Sequence, residues 1–297
     1  MKKVGIVVVT YNRLKILKEV VESLRTQSYR NCKIIIINNG STDDTLSWLN
    51  TQTDLITITQ ENVGGAGGFH TGMKYVAEHN FDFCWIMDDD VICSPNALEE
   101  LLKAYSLKTN IGYVCSKVQG IDGCPMNIPS VDTRPTLNGY PHYHDMIDFQ
   151  MIKIEAASFV SVLYPVNVIH ELGLPYKEYF IWSDDTEYTT RISRKYDCYM
   201  ACKSIVTHKR AIQGVLSFDT EKNPNRIKNY FYMIRNYGHY TMKFRKKSKR
   251  FSYIGFHITE SIKYLFKGEC LKSRIIIKAI WSLISFHPKI DYPQTHN

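Results

Sequence analysis

Three aspartates in a row, Asp88, Asp89 and Asp90, follow the apolar residues 83–87. A short apolar run bounded by polar residues reads as a buried strand. Carboxylates emerging together from a core repel one another unless a cation lies among them. In an extended segment alternate side chains share a face, so Asp88 and Asp90 are expected to address one ion. Hard oxygen donors suit Mg²⁺ or Mn²⁺, ions commonly shared with phosphates. An acidic turn leading into a helix cap is the plainer alternative.

The segments before this triad repeat one rhythm. Residues 4–9, 33–37 and 55–59 are strand-like runs rich in Val and Ile, as in buried parallel strands. Between them, Leu14, Leu17, Val21 and Leu24 recur at helical spacing. Ser41 is placed to cap a short helix to Leu49, and the glycines from Gly64 to Gly68 lead into a helix to about His79. After the triad, Ser94-Pro95 predicts a helix start with proline at its first position, with Leu98, Leu101, Leu102 and Tyr105 on one face. Alternating strands and helices imply a mainly parallel α/β sheet. The second half is less regular. Strands are expected at 111–117, 156–164 and within 199–208, a long loop over the site at 119–150, and a helix from Ser183-Asp184-Asp185 to about Lys195.

Charge divides the chain. Its net charge is +8, yet 16 Lys and Arg face only 3 Asp and Glu from Lys222 onward, so residues 1–221 are net acidic. We therefore expect an α/β domain over 1–221 and a helical, basic, amphipathic region over 222–297. Residues 251–286 read as two amphipathic helices broken near Gly268. Basic residues beside aromatic and aliphatic ones suit a membrane surface; a helical subdomain or an oligomer interface is the alternative. No nucleic-acid module is visible. Eight cysteines without a CxxC pair point to reduced thiols and a cytoplasmic location. The short N-terminal apolar run ends at Thr10-Tyr11-Asn12-Arg13, so no signal peptide is expected there, and no uninterrupted run is long enough to span a membrane.

Open α/β sheets bind ligands at the carboxyl ends of their strands. Four polar sets occupy such ends: Thr10-Tyr11-Asn12-Arg13, Asn38-Asn39-Gly40-Ser41, Asn62 with the glycines after it, and Asp88-Asp89-Asp90. The first strand turn lacks glycines, which argues against a dinucleotide site.

Together these four segments resemble family 2 glycosyltransferases of the GT-A fold over about residues 3–215. Trp182-Ser183-Asp184-Asp185-Thr186-Glu187-Tyr188, with His208, resembles the galactofuranosyl- and rhamnosyltransferase branch. The resemblance implies a nucleotide-sugar donor, Mn²⁺ or Mg²⁺, and inversion at the anomeric carbon. Thr10, Tyr11, Arg13, Asn39 and Asn62 would line the nucleotide. Asp88 would hold the ribose or the metal, and Asp90 and His208 the metal. Many relatives carry Asp-Asp-Gly-Ser where this chain has Asn38-Asn39-Gly40-Ser41, and an asparagine amide still offers a donor and an acceptor to a uracil or thymine edge.

Asp185 is the candidate base. Asp184 would orient acceptor hydroxyls, and Trp182 would form a sugar platform. A neighbouring carboxylate raises the pKa of such a base. Plainer roles exist for each: a helix cap for the acid pair, a core position for Trp182, a polar strand end for His208. Glu187 is expected to pair with Arg191, four residues on. UDP-galactofuranose is the favoured donor and dTDP-rhamnose the second, with a lipid-linked glycan of a cell-surface polysaccharide as acceptor at the inner face of the membrane. A sugar-nucleotide-binding subunit without catalysis is the reading from another class. Oligomeric state is left open.

Overall fold

The computed structural model describes residues 1–210 and 217–294. The chain divides into two compact units, one of Met1–Lys177, Asp185–Ala211 and Ile290–Asn297, the other of Glu178–Asp184 and Ile212–Lys289.

In the first unit the order is β1 (Val4–Thr10), α1 (Leu14–Arg25), β2 (Cys32–Asn38), α2 (Thr45–Leu49), β3 (Leu55–Thr59), α3 (Gly64–Ala77), β4 (Phe83–Asp88), β5 (Val91–Cys93), α4 (Ala97–Ser106), β6 (Ile111–Gln119), β7 (Ser130–Val131), β8 (Met151–Ala156), β9 (Val162–Pro165), α5 (Val166–Leu172), α6 (Asp184–Ser193, whose first residue groups with the second unit) and β10 (Asp197–His208). The strands form one sheet in the order β3-β2-β1-β4-β9-β6-β10-β8-β7, with β5 on β10. Strands β3, β2, β1 and β4 run parallel, β9 is antiparallel to both β4 and β6, and β10 runs parallel to β6. The ends of β1, β2, β4 and β10 therefore share one pole of the sheet. The strand order reverses between β1 and β4, where open α/β sheets leave a crevice.

Both faces of the sheet are covered, which explains the continuous apolar strands. Val4, Ile6 and Val8 of β1 pack with Leu17, Val20, Val21 and Leu24 of α1 and with Leu98 and Leu101 of α4. Val7 and Val9 face the other way, onto Phe69, Met73 and Val76 of α3. Helix α3 lies close to β1 because Gly68 and Gly72 have no side chain. A Cβ there would stand 2.4 Å from Val9 Cγ1 and 2.2 Å from Val7 Cγ1 respectively.

Several expectations change. Asp89 and Asp90 form a turn after β4, not an extended run. The 156–164 segment is two strands: β8 pairs with β10, β9 with β4 and β6, and residues 157–161 carry the chain between them. The break is pinned by Thr189, whose hydroxyl bonds both the N–H and the C=O of Ala157. Ser41 caps nothing; its hydroxyl accepts from the Asn12 N–H, and α2 begins only at Thr45 behind Asp44. Pro95 precedes the N-cap Asn96 of α4. Ser94 is tied to Ile205 of β10, while the Gln27 side chain accepts from the N–H of Leu98 in the first turn.

The second unit holds α7 (Pro224–Phe244), α8 (Lys247–Phe266) and α9 (Cys270–Ser282). Asn223 caps α7 through its side-chain oxygen, with Pro224 in the first turn. Gly268, at φ +74°, follows α8. Ile234, Tyr264, Ile276 and Ala279 form the helices' shared core. Helix α7 was not delineated as a separate element in the sequence. No helix among the described residues is long and apolar enough to cross a membrane. All eight cysteines are unpaired.

Candidate active site

The site is built at the pole where β1, β2, β4 and β10 end. Val9 lies opposite Asp88 in the β1–β4 pair, and Thr10 opposite Asn38 in the β1–β2 pair. Asp88, Asp90 and His208 each offer an oxygen or nitrogen donor, and these atoms lie within 4.8 Å of one another. Asp90 and His208 are buried. His208 Nε2 stands 3.0 Å from Asp90 Oδ1, yet that oxygen accepts no aligned hydrogen bond. Burial opposes ionisation of Asp90, but His208 and Arg13 outweigh it and hold the carboxyl below its usual range.

Asp89 is buried beside Asp90. Its carboxylate accepts from the Thr10 hydroxyl at 2.7 Å and from Arg13 Nη1 at 3.0 Å. Burial is the largest influence and pushes its pKa up to about 6 against the pull of Arg13 and Thr10. Arg13 also reaches Asp90 Oδ2, at 2.9 Å. Thr10 and Arg13 thus brace the acidic turn. Tyr11 is 44% exposed at the same strand end.

Asn39 is buried and committed. Its amide nitrogen donates to the Gly64 carbonyl and to Asn62 Oδ1, and its oxygen accepts from Gln60 Nε2. Asn62 Oδ1 also accepts from the N–H of Gly64 at the start of α3. Asn12, at φ +55°, joins the β1 and β2 loops by accepting from the N–H of Thr42.

Two residues of this pole escaped the sequence reading of individual roles. In the sequence Asp89 stands out only as a member of the triad. Asn127 lies in the long 119–150 segment, and its Oδ1 is 2.8 Å from His208 Nδ1. Accepting there, it leaves a lone pair on Nε2, the nitrogen facing Asp90. No local pattern marks a contact 81 residues apart.

Asp184 and Asp185 open α6. Asp184 is buried. Asp185 is partly exposed, and its Oδ1 accepts from the N–H and hydroxyl of Thr186. Its pKa is raised, with removal of the carboxyl from water as the largest cause and the Thr186 bonds opposing. Glu187 and Arg191 form a buried pair at 2.7 Å. Trp182 belongs to the second unit, where its ring lies 5.2 Å from that of Tyr230.

Residues 5–172 match the sequence profile described as Glycosyl transferase family 2. The chain belongs to glycosyl transferase family 2. Among curated relatives of this family 2 glycosyltransferase, an uncharacterized glycosyltransferase of Haemophilus influenzae is 25% identical over 208 residues, 64% of this chain and 60% of that protein. Galactofuranosyltransferase GlfT1 of Mycobacterium tuberculosis is 24% identical over 204 residues, 63% of this chain and 64% of that protein. The matched region is thus less than two thirds of either relative's length. Two solved structures share the fold. GalNAc-T7 with UDP, GalNAc and Mn²⁺ superposes with a TM-score of 0.66 at 14% identity, over 97% of this chain and 58% of that one. The mannosyltransferase PcManGT of Pyrobaculum calidifontis, in complex with GDP-Man and Mn²⁺, gives 0.56 at 13% identity, over 95% of this chain and 87% of that one. The fold is GT-A, with a mixed, mainly parallel sheet flanked by helices.

Proposed function

We propose that this chain is an inverting, metal-dependent glycosyltransferase. It moves a sugar, with UDP-galactofuranose favoured and dTDP-rhamnose second, from a nucleotide donor to a glycan acceptor of a cell-surface polysaccharide. The observation that carries this reading is the meeting of Asp88, Asp90 and His208 beside the ends of β1 and β2. Two carboxylates and an imidazole suit Mn²⁺. Asp90 Oδ1, buried without a hydrogen-bond partner, is the kind of atom that a cation satisfies. The Mn²⁺ in the GalNAc-T7 and PcManGT structures and the name of GlfT1 support the ion and the favoured sugar.

Each residue then has a task. Asp88, Asp90 and His208 would hold the ion, which supplies positive charge against the departing diphosphate. Tyr11 is exposed at the nucleotide edge, while Thr10, Arg13, Asn39 and Asn62 hold that edge in shape. Asp185 takes the proton of the acceptor hydroxyl. The hydroxyl oxygen bonds the anomeric carbon from the face opposite the phosphate, and the carbon–oxygen bond to the diphosphate breaks with its electron pair on the leaving group. Attack from the opposite face inverts the centre. A raised pKa at Asp185 favours proton acceptance. Asp184 orients the acceptor, and Trp182 offers it an apolar face.

The helical unit supports a lipid-linked acceptor at the inner face of the cytoplasmic membrane. Phe251, Ile258, Ile262, Leu265 and Phe266 are exposed along one side of α8, at helical spacing. Lys246, Lys247, Lys249 and Arg250 cluster at its start. Apolar and basic groups together match an anionic lipid surface.

Asp185→Asn tests the mechanism. The variant is expected to bind nucleotide and Mn²⁺ as the wild type does while losing turnover by about a hundredfold or more. Unchanged transfer would remove Asp185 from the role of base, and no turnover by any form of the protein would favour a sugar-nucleotide-binding subunit.

A further inference from the structure

We infer that Asn236 and Arg235 of α7 are positioning residues for the segment that delivers Trp182, Asp184 and Asp185. This inference rests on the proposed roles of that acid pair. Just before the pair, Phe180, Trp182 and Ser183 have φ of +64°, +66° and +66°. Left-handed backbone is unfavourable for residues with a side chain, and it persists only where the surroundings hold it. Three such residues within four positions need an unusual clamp.

Asn236 is that clamp. Its side-chain nitrogen donates to the carbonyls of Tyr179, Ile181 and Trp182, at 2.8, 3.0 and 2.9 Å. Its side-chain oxygen accepts from Nε and Nη2 of Arg235, at 3.0 and 2.8 Å. Arg235 Nη2 also donates to the carbonyl of Glu178, at 2.7 Å, and its guanidinium lies 3.8 Å from the centre of the Phe286 ring. One turn further along α7, the Tyr179 hydroxyl meets His239 Nδ1 at 2.7 Å. Asn236 is fully buried. An amide has two N–H groups, and here three carbonyls share them. Aspartate lacks those donors, and leucine has the shape without any polarity. From Trp182 the chain runs through Ser183 directly into Asp184 and Asp185. The α7 clamp therefore sets where the acid pair leaves the loop.

The test is hydrogen exchange on the full chain, read together with turnover. In Asn236→Leu, amides of residues 178–186 are expected to exchange about tenfold faster. Amides of 84–90 and 204–208 should keep wild-type protection, and calorimetric Mn²⁺ affinity should be unchanged. Nucleoside diphosphate release from the wild type's best donor should fall about tenfold or more. Unchanged exchange at 178–186 with unchanged turnover would overturn the inference. So would loosening spread evenly over the chain with Mn²⁺ affinity lost, which marks a merely structural residue. Should Asn236→Leu not fold, Arg235→Lys keeps the charge but breaks the paired bonds to Asn236. It is expected to raise exchange at 178–186 about threefold, and wild-type exchange there would equally overturn the inference. Asp185→Asn in the same turnover assay separates the two ideas: full activity in that variant refutes the base, whatever Asn236→Leu does.

Discussion

His208 Nε2 and Asp90 Oδ1 face each other across 3.0 Å, while Nδ1 of the same imidazole is held by Asn127 at 2.8 Å. With Nδ1 donating to Asn127, Nε2 is the ring nitrogen left to face a carboxylate oxygen. Two acceptors at that distance repel unless a proton or a cation lies between them. His208→Ala and Asp90→Asn are each expected to weaken Mn²⁺ binding about a hundredfold, and Asn127→Ala about tenfold, because the outer partner fixes the ligand nitrogen. Paramagnetic resonance titration with Mn²⁺ reads all three. Wild-type affinity in Asn127→Ala would show that Asn127 does not orient the ring.

Glycine at position 72 lets α3 approach β1. A Cβ there would lie 2.2 Å from Val7 Cγ1 and 3.2 Å from Ile37 Cγ1. Gly72→Ala is expected to lower stability by about 1–2 kcal/mol, the overpacking outweighing alanine's better helix propensity. At Gly65 nothing lies within 4 Å of such a Cβ, so Gly65→Ala should be neutral or stabilising by up to about 1 kcal/mol. Denaturant unfolding of the two variants decides; equal effects would contradict the packing argument.

Asp197 sits between Lys153 and Lys108 at the start of β10. Burial opposes its ionisation, but hydrogen bonds from both lysines outweigh that and hold its pKa below the usual carboxylate value. A depressed folded-state pKa adds stability above the unfolded value, and that stability is lost as pH falls through the folded one. Asp197→Asn should therefore melt lower than the wild type at pH 7, with the gap closing below about pH 4. A gap of constant size across that range would show that ionisation at Asp197 contributes nothing.

The exposed row on α8 predicts binding to anionic vesicles. Replacing Phe251, Ile258, Ile262, Leu265 and Phe266 together by serine should abolish co-sedimentation with phosphatidylglycerol-containing vesicles, since each apolar side chain adds to interfacial affinity. Salt should weaken wild-type binding, and neutral phosphatidylcholine vesicles should bind less. Equal binding to both lipids would remove the electrostatic part of the proposal. Self-association of the wild type without vesicle binding would assign the row to an oligomer interface.

Local patterns carried much of this protein. The Val and Ile runs of β1 and β2 and the helical spacing of Leu17, Val21 and Leu24 are legible because each reports a periodic burial. Asp88, Asp90 and His208 were legible as a set through motif resemblance, although the turn at Asp89-Asp90, not strand alternation, is what brings the first two together. Other features depend on long-range pairing. The break between β8 and β9 follows from two different strand partnerships. Asn127 reaches His208 across 81 residues, and Asn236 holds carbonyls 54 to 57 residues away. Neither asparagine sits in a pattern that distinguishes it from a surface residue. Burial, the largest influence on Asp185, leaves no mark in the sequence.

The proposed function depends on metal-dependent sugar transfer at the Asp88–Asp90–His208 cluster. Its most direct test offers UDP-galactofuranose, dTDP-rhamnose, UDP-galactose, UDP-glucose and UDP-N-acetylglucosamine with Mn²⁺ to the wild type and to Asp90→Asn. Nucleoside diphosphate release is followed with and without EDTA. Turnover of one donor is expected, UDP-galactofuranose first, abolished by EDTA and by Asp90→Asn. Turnover that survives both would contradict it.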